Sequence, residues 1–174
     1  VVADDAIAER TDRFFVADVE GGLPEEVGDG YDVVIAADVI EHVRNPDELL
    51  ADLAGRMDPA GTIIASVPNF GHWYPRLRTV AGLFDYDQRG ILDRTHVRFF
   101  TRRSFRRTLA NTGLVTTTES YAGLPLDVLG VEGTLGSFVA AGDGLARRVW
   151  PTLFAYQFVV RLETAPHLLD PPVT

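Results

Sequence analysis

Apolar and polar positions fall into alternating blocks along the first two thirds of the chain. Runs of consecutive apolar residues, the pattern of strands covered on both faces, alternate with stretches whose apolar positions recur at helical spacing. Arg13–Ala17 reads as a short strand ending at Asp18, and Gly21–Gly30 as a loop rich in Gly, Pro and acids. Tyr31–Ala37, with Val33, Val34 and Ile35 in a row, predicts a strand buried on both faces. Asn45 predicts the cap of a helix whose first turn holds Pro46, Asp47 and Glu48. Leu49, Leu53 and Met57, at i, i+4 and i+8, give that helix its buried stripe. Asp58–Gly61 stops it, and Thr62–Val67 predicts the next buried strand.

After Pro68 and Asn69 comes a connection, Phe70–Arg98, too long to be a plain turn. Thr101 opens a second capped helix that runs to about Thr112, with Gly113 as its C′ residue and Phe105 and Leu109 turned to the core. Val115–Tyr121 predicts a strand, Leu124–Asp143 an irregular Gly-rich stretch, Gly144–Leu153 a helix and Ala155–Glu163 a closing strand. The alternation is that of an α/β fold, with one domain over 1–165 and a Pro-rich tail over 166–174.

Composition narrows the function classes. A length of 174 residues and 46% hydrophobic content suit a single core. No run reaches the roughly 18 apolar residues of a membrane span. Val149–Val160 is interrupted by Pro151 and Gln157 and reads as core. No signal peptide opens the chain, and the absence of cysteine excludes disulfides, thiolate metal sites and cysteine nucleophiles. The lack of cysteine fits a cytoplasmic protein. A net charge of −9 argues against general nucleic-acid binding. All sixteen basic residues are Arg, which removes lysine chemistry.

Candidate chemistry gathers past the carboxyl end of Tyr31–Ala37, where open α/β sheets place their ligands. Asp38, Glu41 and His42 form D-x-x-E-H, and positions i, i+3 and i+4 on a turn share a face. Three hard ligands could converge there on a cation, or a histidine could act as a general base without metal. The plainer reading has Glu41 hydrogen-bonded locally and His42 packed at a helix start. Arg94, Arg98, Arg102, Arg103, Arg106 and Arg107 form a basic cluster, which suits either an anionic substrate or a solvated helix face. Trp73, Tyr74, Phe84 and Tyr86 could cover a planar acceptor or simply pack a long loop. His72 could line the same pocket, and His167 reads as surface.

From about Phe14 to Glu163 the chain resembles class I S-adenosylmethionine-dependent methyltransferases. FFVAD at Phe14–Asp18 is similar to their third strand, AADVIEHV at Ala36–Val43 to the fourth-strand motif, and DPAGTIIASVPN at Asp58–Asn69 to the fifth. THVRFFTRRSFRRTLANTGL at Thr95–Leu114 is similar to the next helix. The resemblance implies a Rossmann-like sheet with flanking helices, bound S-adenosylmethionine and methyl transfer to a small-molecule acceptor. It places Asp18 and Val19 at the adenine, and Ala36, Ala37 and Asp38 at the methionine part. It makes Trp73, Tyr74 and Arg98 candidate substrate contacts. D-x-x-E-H further resembles the metal motif of ubiquinone-biosynthesis and small-RNA O-methyltransferases. There a His from after the fifth strand joins the set, and His96 stands at the matching place. That implies Mg²⁺ or Mn²⁺ on Asp38, Glu41, His42 and His96, catalysis by Glu41, His42 and His96, and a hydroxyl acceptor. The family's Gly-rich first turn has no counterpart ahead of Asp18, so the domain reads as N-terminally incomplete, and the acid that would hold the ribose is either Asp4 or Asp5 or one upstream of Val1. This opens two alternatives, a non-catalytic scaffold and a regulatory partner of a biosynthetic enzyme. No oligomeric state is implied.

Overall fold

The computed structural model describes residues 10–124 and 133–164. Four strands, β1 (Tyr31–Ala37), β2 (Met57–Pro68), β3 (Leu114–Ala122) and β4 (Gln157–Thr164), form one sheet in the order β1-β2-β4-β3. β1 and β2 are parallel, while β4 inserts antiparallel between β2 and β3. β1, β2 and β3 therefore all end at the same edge of the sheet. The helices are α1 (Pro46–Gly55), α2 (Trp73–Val80), α3 (Arg102–Ala110), α4 (Gly133–Val149) and α5 (Pro151–Phe154). This mixed open sheet with flanking helices is the Rossmann-like arrangement expected above.

Among the described residues one face of the sheet is covered throughout, and the other lies open over β1. Ala36 of β1, Ile63, Ala65 and Val67 of β2, and Phe158, Val160 and Leu162 of β4 recur at period two and are buried. α1 and α3 pack against each other and close this face with Leu50, Phe105 and Leu109. On the opposite face Val33, Ile35 and Ile64 are 50%, 69% and 37% exposed. The expectation that Tyr31–Ala37 is buried on both faces is thus overturned. A second covered face needs a second layer, and among the described residues none lies over β1. Arg13–Ala17 forms no strand, because a strand needs a ladder partner; Phe14, Phe15 and Val16 are instead exposed.

Other boundaries shift for local reasons. Met57 belongs to β2 rather than to the stripe of α1, whose buried side is carried by Leu49 and Leu50. β2 begins early because Asp58–Gly61 forms a bulge opposite Tyr31 and Val33. At Gly61 a Cβ would stand 2.6 Å from the Tyr31 carbonyl, so this close approach requires glycine. Asn45 does precede α1, but its side chain reaches Glu48 instead of a helix amide. The Thr101 cap holds, with Ser104 completing a reciprocal capping box, and Gly113 at φ 73° ends the α3 segment. The stretch expected to be irregular is helical from Gly133 onward. Val149 and Trp150 are 77% and 55% exposed, so the core reading of 149–160 holds only from Ala155. The candidates Asp4, Asp5, His167 and the tail 166–174 lie outside the described residues. Among the described residues no helix is long and apolar enough to cross a membrane.

Candidate active site

Where β1 ends, the chain turns sharply. Asp38 has φ 53°, the one non-glycine residue with positive φ among those described. An Asp in this left-handed region needs compensation. Its N–H donates to Ser66 Oγ at 3.2 Å, the Ser66 hydroxyl donates back to Oδ1 at 3.1 Å, and Gln157 Nε2 donates to the same oxygen at 2.7 Å. The ends of β1, β2 and β4 are thereby pinned to one carboxylate.

The kink throws Ile40–His42 into a single 3₁₀ turn, with Ile40 and Glu41 buried. The backbone carbonyl of Glu41 accepts from the N–H groups of both Val97 and Arg98, each at 3.0 Å. That joint carries the end of the long connection over the turn and brings His96 beside Glu41. Glu41, His42 and His96 offer three ligand atoms that all lie within 4.8 Å of one another. His96 Nε2 is 3.9 Å from Glu41 Oε1, and the two imidazole rings meet edge to face at 4.8 Å.

Tautomers follow from the partners. His42 Nδ1 is 3.1 Å from the Thr95 carbonyl and His96 Nδ1 3.2 Å from that of Ile91. A carbonyl only accepts, so each Nδ1 carries a proton, and in the neutral ring Nε2 is the nitrogen with the lone pair. Glu41 is 1% exposed, and neither of its carboxylate oxygens has a hydrogen-bond partner among the described residues. Burial raises its pKa to about 7, offset in part by its own backbone amide and reinforced by the Asp38 charge. Burial also lowers the pKa of His96, and His42 adds to the lowering. His96 is accordingly a neutral base with its lone pair toward a buried acid.

The donor set fits a divalent cation. Two imidazole nitrogens, each oriented by a carbonyl behind it, and one orphaned buried carboxylate form a two-His, one-carboxylate set. Mixed nitrogen and oxygen donors suit Mn²⁺ or a similar transition ion better than Mg²⁺, which prefers oxygen. Ligand atoms on one such ion stand about 3 Å apart for bonds of about 2.1 Å, so binding would contract the cluster. Asp38 lies outside the group, held by Ser66 and Gln157.

The remaining candidates are dispersed. Asp18 is exposed, and its carboxylate accepts from the Glu20 N–H to cap a short turn; Val19 lines a cavity of about 260 Å³ between that turn and α1. Ala36 is buried and Ala37 exposed at the strand end, where small side chains leave the sheet edge open. Trp73 is 40% exposed. Tyr74 donates to Asp87 and receives a hydrogen bond from Arg78, which also grips Asp87 at 2.7 Å. Arg98 spends its guanidinium on the Arg44 carbonyl, as a clamp between segments. Arg94 stays exposed.

Sequence reasoning missed Ser66, Gln157 and Tyr156. Gly90, at φ 92°, passes so close that a Cβ would meet the Tyr156 hydroxyl at 2.6 Å. His72 is fully buried and caps α2, its Nδ1 accepting from the Tyr74 N–H at 3.3 Å. Its proton therefore sits on Nε2, which has no partner among the described residues, and burial pushes its pKa down to about 4.

A family model described as a methyltransferase domain matches residues 3–119. The chain belongs to this methyltransferase family. The solved structures it resembles agree. An S-adenosylmethionine-dependent methyltransferase from Archaeoglobus fulgidus superposes with a TM-score of 0.55 at 17% identity, over 93% of this chain and 73% of that one. One from Thermotoga maritima gives 0.57 at 12% identity, over 92% and 68%. A Haloferax volcanii methyltransferase in complex with a methyltransferase activator gives 0.52 at 16%, over 92% and 66%. No curated protein matches. The methyltransferase domain thus supplies the class I fold and its S-adenosylmethionine chemistry, and the cluster at Glu41 occupies the sheet edge where β1 and β2 end.

Proposed function

We propose that this methyltransferase methylates a hydroxyl of a small molecule, and that Glu41, His42 and His96 receive the acceptor's proton. One observation carries the reading: two imidazoles with their Nε2 lone pairs free meet a buried carboxyl group whose oxygens are both unpartnered. S-adenosylmethionine, when bound, supplies the methyl group and a good sulfonium leaving group. Asp18 and Val19 would meet its adenine, and Ala36, Ala37 and Asp38 would border its methionine part; the small alanines leave room at that strand end. His96 Nε2 accepts the hydroxyl proton as the acceptor oxygen attacks, and Glu41 as carboxylate stabilises the imidazolium. Where a divalent cation is bound, the same three residues hold it, and its charge lowers the pKa of the acceptor hydroxyl. Trp73 and Tyr74, at the start of α2, would exclude water above the acceptor. Among the described residues no helix is long and apolar enough to cross a membrane, and the net charge of −9 favours a small molecule over nucleic acid.

Thermal unfolding tests the reading. S-adenosylhomocysteine at a hundredfold its Kd should add about 2.7 kcal/mol, a shift of several degrees at roughly 2–4 °C per kcal/mol. Mn²⁺ should add a further shift that His96→Gln abolishes. A cooperative transition unmoved by S-adenosylhomocysteine would sink catalysis by this chain. It would favour the second reading, a scaffold or regulatory partner. The observation behind that reading is the exposed apolar face formed by Val33, Ile35 and Ile64.

A further inference from the structure

A cavity of about 420 Å³ opens between α2 and α3 and is lined by Arg76, Thr101, Arg102, Arg103, Arg106 and Thr152. Four of its six lining residues are arginines, in a chain whose net charge is −9. Arg102 and Arg106 share one carboxylate, Glu119, and Arg102 meets both of its oxygens at 2.8 and 2.9 Å. Neither the Arg76 nor the Arg103 side chain has a hydrogen-bond or ion-pair partner among the described residues. Four guanidinium charges thus face one carboxylate. Concentrating like charge in one hollow is unfavourable unless an anion joins them. The helix end does not account for the arrangement, since the Thr101–Ser104 capping box already occupies it.

We propose that this cavity binds the phosphoryl groups of a small phosphorylated molecule, and that this molecule is the methyl acceptor. Guanidinium forks match phosphate oxygens in pairs, and the volume lies within the roughly 300–1,000 Å³ of small-molecule sites. Its position puts it at the same end of the sheet as the candidate active site. Thr101 follows Phe100, which bridges to Asn69 just past β2. Asn69 Nδ2 donates to the Thr152 carbonyl, and Arg76 shares α2 with Trp73 and Tyr74. The cavity therefore sits at the end of the sheet where β1 and β2 terminate. That the ligand is the acceptor rests on the methyl-transfer reading; the anion site itself does not.

Titration calorimetry with pyrophosphate, on the full chain at fixed moderate salt, separates the two. Pyrophosphate should bind, and the double variant Arg76→Ala/Arg103→Ala should bind it at least about tenfold more weakly, the cost of losing charge-assisted hydrogen bonds. Arg107→Ala, on the same helix but outside the cavity, should leave binding unchanged. Both altered arginines are exposed, so an unchanged melting temperature and unchanged S-adenosylhomocysteine binding certify the fold. No pyrophosphate binding, or equal loss in the Arg107 variant, would overturn the site. A short single-stranded oligonucleotide binding more tightly than pyrophosphate, and lost in the same double variant, would overturn the small-molecule assignment. Pyrophosphate binding without S-adenosylhomocysteine binding would leave the anion site standing and remove the acceptor role.

Discussion

Glu41 and His72 are buried titratable groups whose effects on stability have opposite signs. Folded Glu41, with a pKa of about 7 against a reference of 4.5, holds its proton more tightly than the unfolded chain does. Its contribution is present in acid and is lost as the pH rises from 4.5 through about 7, at most roughly 3 kcal/mol. Folded His72, with a pKa of about 4 against 6.5, favours the neutral ring. Its contribution is present above 6.5 and is lost as the pH falls toward 4. Glu41→Gln should therefore raise Tm by several degrees at pH 8 and leave it nearly unchanged at pH 4.5, measured by calorimetry in cation-free buffer. A variant equally stabilised at both pH values would show that burial does not hold the proton on Glu41. The same protonation governs the candidate cation site, since only the carboxylate binds metal. Mn²⁺ affinity should rise with pH through about 7 more steeply in the wild type than in Glu41→Gln, where only the two imidazoles still lose protons on binding.

Among the elements, the β1–β2 pair depends on one glycine. A methyl at position 61 would sit 2.6 Å from the Tyr31 carbonyl and 2.9 Å from that of Asp58, backbone atoms that cannot swing away. Gly61→Ala should cost about 1–3 kcal/mol and lower the denaturant midpoint without altering the far-UV spectrum of the helices. Elements with local signals were legible in the sequence. α3 carries its own cap at Thr101 and its stop at Gly113, and its core residues Phe105 and Leu109 recur at i, i+4. The Glu41–His42 turn was legible for the same reason, whereas His96 needed the family resemblance to be placed. What supports Asp38 was not legible, because Ser66 and Gln157 stand 28 and 119 residues away in sequence and no local pattern links them. The exposure of Val33 and Ile35 was hidden as well. An apolar run reports that a strand prefers burial, not whether a second layer is present to bury it.

At the scale of the whole molecule, the described residues cover one face of the sheet throughout and leave the other open over β1. Val33, Ile35 and Ile64 lie across β1 and β2, and β1 leaves one edge unpaired among the described residues. Such a surface invites association. Ile35→Lys should leave Tm within about 1 kcal/mol equivalent, as exposed substitutions do, and reduce concentration-dependent association measured by light scattering. An unchanged scattering profile would mean that the face does not mediate contacts.

The shared carbonyl of Glu41 has a kinetic corollary. Val97 and Arg98 both point their amide hydrogens at it, so both are shielded from solvent only while the long connection rests on the 3₁₀ turn. If the connection lifts off the turn, the two amides are exposed together, and their hydrogen exchange reports that opening. If a ligand closes the site, these two signals should slow in step.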